Sequence, residues 1–203
     1  MNFEGAKGFI LNKLSRELNP KLTYHSLAHT LDVHDSSVRI ANLEKVPEYE
    51  TLLLRTAALF HDSGMLITYN GHEEASVKIM KDTLPGFNYS AGEIERIANM
   101  IHTTKIPQSA DTHLSMILCD ADLDYLGRPD YFMICHQLKY EWDILNVNPT
   151  SLKEWYLLQI GFLGNHKYFT KSARDTRQEA KLKNLQQIKV LLNSEIEVLG
   201  KPE

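Results

Sequence analysis

Apolar residues recur three and four positions apart along almost the whole chain, and that pattern restricts it to helices. Ile10, Leu11, Leu14 and Leu18 line one face of a first helix, which Pro20 closes. The spacing predicts further helices over about 25–41, 47–62 and 71–84, the last ended by Pro85-Gly86. Gly64 suits the C-terminal end of the third. Ser90-Ala91-Gly92-Glu93 and Ser151-Leu152-Lys153-Glu154 have the form of capping boxes and open a fifth and an eighth helix. Between them lie helices over about 111–126 and 129–145, the latter with Pro129 in its first turn. A last amphipathic helix is expected over about 172–198. No alternating strand of useful length, repeat or low-complexity stretch interrupts the series. The expected fold class is therefore all-α, one compact domain over 1–203 with short loops. Residues 146–150 are the only candidate boundary, too short for a flexible linker.

Composition narrows the function. Of 203 residues, 24% are charged and the net charge is −4. This is neither the basic balance of a domain that coats nucleic acid nor that of an acidic disordered tail. No nucleic-acid polymer is expected as a partner. A nucleotide substrate stays compatible, because a small positive pocket can hide inside a weak negative charge. Cys119 and Cys135 make no disulfide framework and read as small core residues of a reducing compartment. The opening Met1-Asn2-Phe3-Glu4-Gly5 lacks a basic patch followed by an apolar run. The longest apolar stretch, 52–60, is interrupted by Arg55 and Thr56, far short of the ~20 residues that span a bilayer. A cytoplasmic location without membrane attachment is expected, and exposed helical faces leave a homodimer open.

Nine histidines carry most of the chemical information. Two His-Asp pairs occur, and their contexts differ. His34-Asp35 lies in a polar stretch and reads as a solvated face. His61-Asp62 follows Leu59-Phe60 at the buried end of an apolar helix. Burying a carboxylate costs several kcal/mol unless a cation or strong hydrogen bonds compensate. A metal ion and a hydrogen-bonded helix end are both consistent with that pair alone. His25 and His29 stand four apart on one helical face. His102 closes an apolar periodic run, and Asp120 ends another in Met-Ile-Leu-Cys-Asp. Asp120, Asp122 and Asp124 alternate, but a calcium loop fails at Tyr125 and Tyr131, where Gly and Glu are needed. On a continuous helix Asp120 and Asp124 share a face, and Asp122 points away.

The order His29 … His61-Asp62 … Asp120 resembles the HD superfamily of metal-dependent phosphohydrolases. Tyr24-His25 with His29 is similar to the opening of its cyclic-nucleotide phosphodiesterase branch. The segments 71–76, 101–103 and 120–128 resemble small bacterial members. The resemblance covers about 22–130; a helical extension is expected over about 131–203, and the part after Leu145 is not explained by the resemblance. It implies an all-α fold and a first metal site of His29, His61, Asp62 and Asp120. His72 and His102 fall where two-metal members place histidines, so one or two ions are expected. His25 and Asp124 are lesser candidates, with a helix-face hydrogen bond and a surface charge as their plain alternatives.

Mixed imidazole and carboxylate donors suit Mn²⁺, Fe²⁺, Zn²⁺, Co²⁺ or Ni²⁺, with or without Mg²⁺, better than an all-oxygen Ca²⁺ cage. Such an ion lowers the pKa of bound water to about 7 and polarises a phosphoryl oxygen. Asp62 is the natural bridge between two ions. His72 or His102, if not bound to metal, would protonate the leaving oxygen. Phosphate recognition is assigned to Arg55, Lys105 and Arg128, each of which also reads as a solvated charge. Tyr24 reads as packing, and residues 164–170 as a helix connection with a capping Thr. The expected activity is hydrolysis of a nucleotide or other small phosphoester. The alternatives are a di-iron oxygenase of the same superfamily, of the myo-inositol oxygenase type, and a non-catalytic metal-binding sensor or interaction domain.

Overall fold

The computed structural model describes residues 1–199; positions 200–203 of the expected domain lie outside them. Among the described residues there are nine α-helices and no strand, as the apolar periodicity predicts. They are α1 (Phe3–Glu17), α2 (Leu27–Leu43), α3 (Glu48–Phe60), α4 (His72–Thr83), α5 (Ala91–Thr103), α6 (His113–Asp122), α7 (Tyr131–Leu145), α8 (Leu152–Asn165) and α9 (Lys171–Leu199).

Two apolar clusters organise them. The first joins α1–α6 around Ile10, Leu14, Val33, Leu53, Leu54, Phe60, Met80, Ile97 and Ile117. Each such side chain, fully buried, contributes about 1.5–3 kcal/mol relative to exposure. The second joins α7, α8 and α9 to the segment after α6, around Leu126, Tyr131, Cys135, Trp155, Leu163 and Ile188. Both cysteines are free and buried.

Both expected capping boxes form at Ser90/Glu93 and Ser151/Glu154, and Thr112/Ser115 makes a third that opens α6. Three boundaries differ from the sequence spacing, each for a tertiary reason. Helix α2 starts at Leu27 rather than near 25, because Glu141 Oε2 accepts the backbone N–H of Tyr24 and His25 at 2.8 and 3.0 Å and holds them outside the helix. Helix α3 stops at Phe60, and a 3₁₀ turn over Ser63–Leu66 follows. The turn packs so closely on α4 that a Cβ at Gly64 would lie 1.9 Å from the His72 carbonyl oxygen. That approach is open only to glycine, and it brings the start of α4 to the end of α3. The single helix expected over 111–126 is broken: α6 ends at Asp122 and a 3₁₀ turn spans Asp124–Gly127. There α9 crosses, and a Cβ at Gly127 would sit 2.4 Å from the Arg177 carbonyl oxygen.

Candidate metal centre

Helix ends deliver the reactive side chains. His29 lies in the first turn of α2, whose cap Ser26 accepts from the His29 N–H. His61 and Asp62 follow the last residue of α3, His72 opens α4, and Asp122 closes α6. A carboxylate at a helix C-terminus opposes the helix dipole, so Asp62 and Asp122 sit where a positive charge is most needed.

The side chains converge. Asp62 Oδ2 is 3.4 Å from His29 Nε2 and 3.2 Å from His61 Nε2. Asp122 Oδ1 is 3.3 and 3.5 Å from the same two nitrogens. One donor atom each from His29, His61 and Asp122 lies within 4.8 Å of the others. On its other side, Asp62 Oδ1 is 3.4 Å from His72 Nε2, and Glu73 Oε1 is 3.7 Å from that nitrogen. The carboxylate of Asp62 thus faces both groups.

The orientation of each donor is secured from behind. His61 Nδ1 lies 2.8 Å from the Ala58 carbonyl oxygen and His72 Nδ1 2.9 Å from that of Tyr69, so each ring donates there and turns its Nε2 lone pair inward. Gln108 Nε2 donates to Asp122 Oδ2 at 3.2 Å. The inward atoms have no such partners: His29 Nε2, His61 Nε2 and Asp62 Oδ2 are buried without a hydrogen bond. Orphaned buried polar atoms are costly and need an explanation. Two imidazole nitrogens grouped with the Asp122 carboxylate, and a second carboxylate, Asp62, 3.2–3.4 Å from both nitrogens, suit a divalent transition ion.

The charges agree. Burial works against charging His61, but Asp62 and Asp122 outweigh it and hold the imidazole well above its ordinary range. Burial opposes His72 likewise, and Asp62 raises it to about 9. Burial would raise both carboxyls; the facing histidines instead hold Asp62 well below its ordinary value and bring Asp122 to about 2. The carboxylates demand positive charge, and without an ion they favour protons on His61 and His72.

Asp120, expected as the last member of the first site, is not in this group. Its buried carboxylate accepts from Phe169 N at 2.8 Å and from Thr170 N and Oγ1, both at 2.7 Å. Asp122, expected to point away, takes the place beside the histidines. Periodicity could not tell the two apart, because α6 is covered on nearly all sides and Leu114, Ile117, Leu118, Cys119 and Ala121 are all buried. The signal that separates them is position: Asp122 is the terminal helical residue.

The other expected residues divide. Lys105 is exposed and lines the cavity above the cluster. His102 is not brought in; its ring is partly exposed and its Nδ1 faces Glu74 Oε1 at 3.2 Å. Arg55 faces away: its guanidinium covers the Phe3 ring at 4.2 Å and its Nε approaches His34 Nε2 at 3.1 Å. That also buries His34, read from sequence as solvated, while Asp35 stays exposed. Arg128 is consumed by Asp32, at 2.7 and 2.8 Å, and by Asp130. Asp124 is no surface charge: it is buried under Arg39 and Arg177. Tyr24 packs, its ring 4.6 Å from that of His29.

A cavity of about 480 Å³ opens over the cluster. Its floor includes Asp62, His72, Glu73 and Asp122, and its far wall comes from the extension: Leu138 and Trp142 of α7, Leu158, Gln159 and Phe162 of α8, with Asn148 between them. One residue stands out that sequence spacing did not reveal. Glu141 is fully buried on α7. Besides the Tyr24 and His25 amides, it takes the Tyr69 hydroxyl at 2.8 Å and pairs with His25 Nδ1 at 2.5 Å. His25, a lesser candidate from sequence with a helix-face hydrogen bond as its alternative, lies before α2 and lines the cavity, its ring centroid 5.5 Å from that of His72.

Residues 26–124 match the family model described as HD domain. That segment is an HD domain. It contains His29, His61, Asp62, His72 and Asp122, whereas His25 and Glu141 lie outside it. Neither the curated proteins nor the solved structures gave a significant match. HD domains bind divalent metals, and the residues found here fit such an ion. No helix among the described residues is long and apolar enough to cross a membrane.

Proposed function

We propose that this HD-domain chain hydrolyses a nucleotide or another small phosphoester, with a divalent transition ion held by His29, His61, Asp62 and Asp122. The observation that carries the reading is the set of buried, inward-facing and unpartnered atoms on His29, His61 and Asp62, completed by Asp122 at the foot of a cavity. His72, Asp62 and Glu73 would hold a second ion. When bound, the metal supplies a Lewis acid and a water of lowered pKa.

The chain's own residues account for the rest. Lys105 is the lone Lys or Arg among the described residues lining the cavity, and it suits a non-bridging phosphate oxygen. Glu141 engages His25 at Nδ1, which leaves Nε2 as the atom that delivers a proton to the leaving oxygen. The roles of His72 and His102 as donors pass to His25 on this reading, because His72 is committed to Asp62 and His102 to Glu74. Trp142, Phe162 and Leu158 offer an apolar wall on which a planar leaving group packs and from which water is excluded. Gln159 and Asn148 supply amides for its polar edge. The cavity volume lies within the range of small-molecule sites.

The test is product release (inorganic phosphate from nucleoside monophosphates and simple phosphomonoesters, nucleoside monophosphate from cyclic nucleotides), run with Mn²⁺, Co²⁺, Ni²⁺ or Zn²⁺ and with chelator. Metal-dependent release from at least one nucleotide supports the reading. Oxygen consumption by the iron-loaded protein without product release would replace it with the oxygenase alternative. Metal binding with neither activity would leave a sensor.

A further inference from the structure

The segment 120–124 carries three acidic residues that face two ways. Asp122 turns to the histidines. Asp120 turns to the entry of α9, and Asp124 turns to α9 and also accepts from Arg39 and Ser36 of α2. Asp120 accepts three hydrogen bonds from Phe169 and Thr170, as described above. Asp124 takes Arg177 Nε and Nη2 at 2.8 and 2.9 Å. Farther along, Asn184 Nδ2 donates to the carbonyl oxygens of Leu126 and Arg128 at 2.9 and 3.1 Å.

Thr170, Arg177 and Asn184 are spaced seven apart, so they follow one stripe of the helix and its cap. The buried residues Ala173, Lys181 and Ile188 fill the same stripe. Thr170 also caps α9, its Oγ1 accepting the Ala173 N–H at 3.2 Å. A single rigid element therefore grips the chain two residues before and two residues after Asp122, although it lies wholly outside residues 26–124.

Asp122 has little else to hold it. It is the last helical residue of α6, and the next residue, Leu123, leaves helical geometry at φ −106 and ψ 18. Its side chain is steadied by Gln108 alone on the outer oxygen. The direction of the carboxylate thus depends on where the 120–124 backbone is pinned.

We propose that α9 is a brace for the metal centre, with Thr170 and Arg177 as positioning residues that act through Asp120 and Asp124 on Asp122. The inference rests on the metal-dependent reading above. Groups that orient metal ligands from behind change affinity by roughly 10–100-fold when removed, whereas a merely structural contact changes stability and leaves affinity alone.

The experiment is a Co²⁺ titration of the full chain, followed by visible absorption and calorimetry, with circular dichroism to report folding. Thr170→Val keeps the shape and deletes the hydroxyl; Thr170→Ser restores it. Arg177→Lys keeps the charge and removes the paired donors. Leu182→Ala, on the exposed face of α9, is the stability control. The brace predicts Co²⁺ affinity about tenfold or more weaker in Thr170→Val and Arg177→Lys, an altered absorption band, recovery in Thr170→Ser and no change in Leu182→Ala. Folded Thr170→Val or Arg177→Lys protein that binds Co²⁺ as tightly as the parent, with the same spectrum, overturns the brace and leaves the metal reading intact. If Thr170→Val does not fold, Arg177→Lys decides alone. A parent protein that takes up no Co²⁺ overturns both.

Discussion

The two halves of the molecule serve the cavity in different ways. The HD half places every residue of the metal cluster at a helix end, within one apolar core. The extension adds no member to that cluster, yet it fills the second core, walls the cavity, engages His25 through Glu141 and pins the segment around Asp122. Every contact within the cluster lies inside the HD half, the widest in sequence joining His29 to Asp122. The Glu141 hydrogen bonds to Tyr24 and His25, by contrast, span 117 and 116 residues. On the function proposed above, the donors come from the matched segment, while the acid His25 is held by a partner from outside it.

Variants should separate these contributions. The largest effect falls on the cluster itself. Asp122→Ala should lose bound metal and metal-dependent hydrolysis while keeping its helices, as read by elemental analysis and circular dichroism. Metal retained at parent occupancy would remove Asp122 from the site. Next come the residues that join the halves. His25→Ala and Glu141→Gln should lower kcat by about 10²-fold or more, the usual contribution of a positioned acid, with metal content unchanged. An equal fall in metal occupancy would place His25 among the ligands instead.

Smaller effects belong to the wall and the mouth. Trp142→Ala should raise KM about tenfold, within the roughly 1–3 kcal/mol of an apolar contact, and leave kcat and metal affinity near parent values. A parent KM would show that substrate does not reach α7. Lys105→Ala should raise KM several-fold, less so at high salt, because exposed charges are screened.

The metal-free protein should also report the cluster through pH. His61 and His72 have folded pKa values raised above their unfolded value near 6.5. Their stabilisation is complete below about 6.5 and is lost as pH rises, through about 9 for His72. Asp62 and Asp122 act oppositely: their contribution is present above about 4 and fades as pH falls, through about 2 for Asp122. Thermal unfolding of chelated protein should therefore fall by a few °C between pH 6.5 and 9, at about 2–4 °C per kcal/mol for a chain of this size. Added Mn²⁺ should abolish the slope. A flat profile without metal would mean that the histidines are not charged by Asp62 and Asp122.

Much of this was legible in the residue order. The all-α class followed from apolar spacing, and Ser90/Glu93 and Ser151/Glu154 marked two helix starts because a capping box is local. The His61-Asp62 pair after an apolar run signals a need for counter-charge or a hydrogen-bonded helix end, and His29 joins it only through the family resemblance; the structure brings the three together. Asp122 was missed because α6 is covered on both sides, so its apolar pattern has no polar face. Arg55 and Arg128 looked available because a guanidinium's partner can lie anywhere; theirs are His34, Asp32 and Asp130. Glu141 and the wall of α7 and α8 reach the cavity only through folding, and neither spacing nor composition marks them.

The most direct test is the anomalous scattering of a Mn²⁺- or Co²⁺-soaked crystal. The account predicts a peak bonded, at about 2.0–2.2 Å, to nitrogen of His29 and His61 and to carboxylate oxygen of Asp62 and Asp122, with Asp120 still hydrogen-bonded to Thr170. A peak coordinated by Asp120, or ions found only away from His29 and His61, would contradict it.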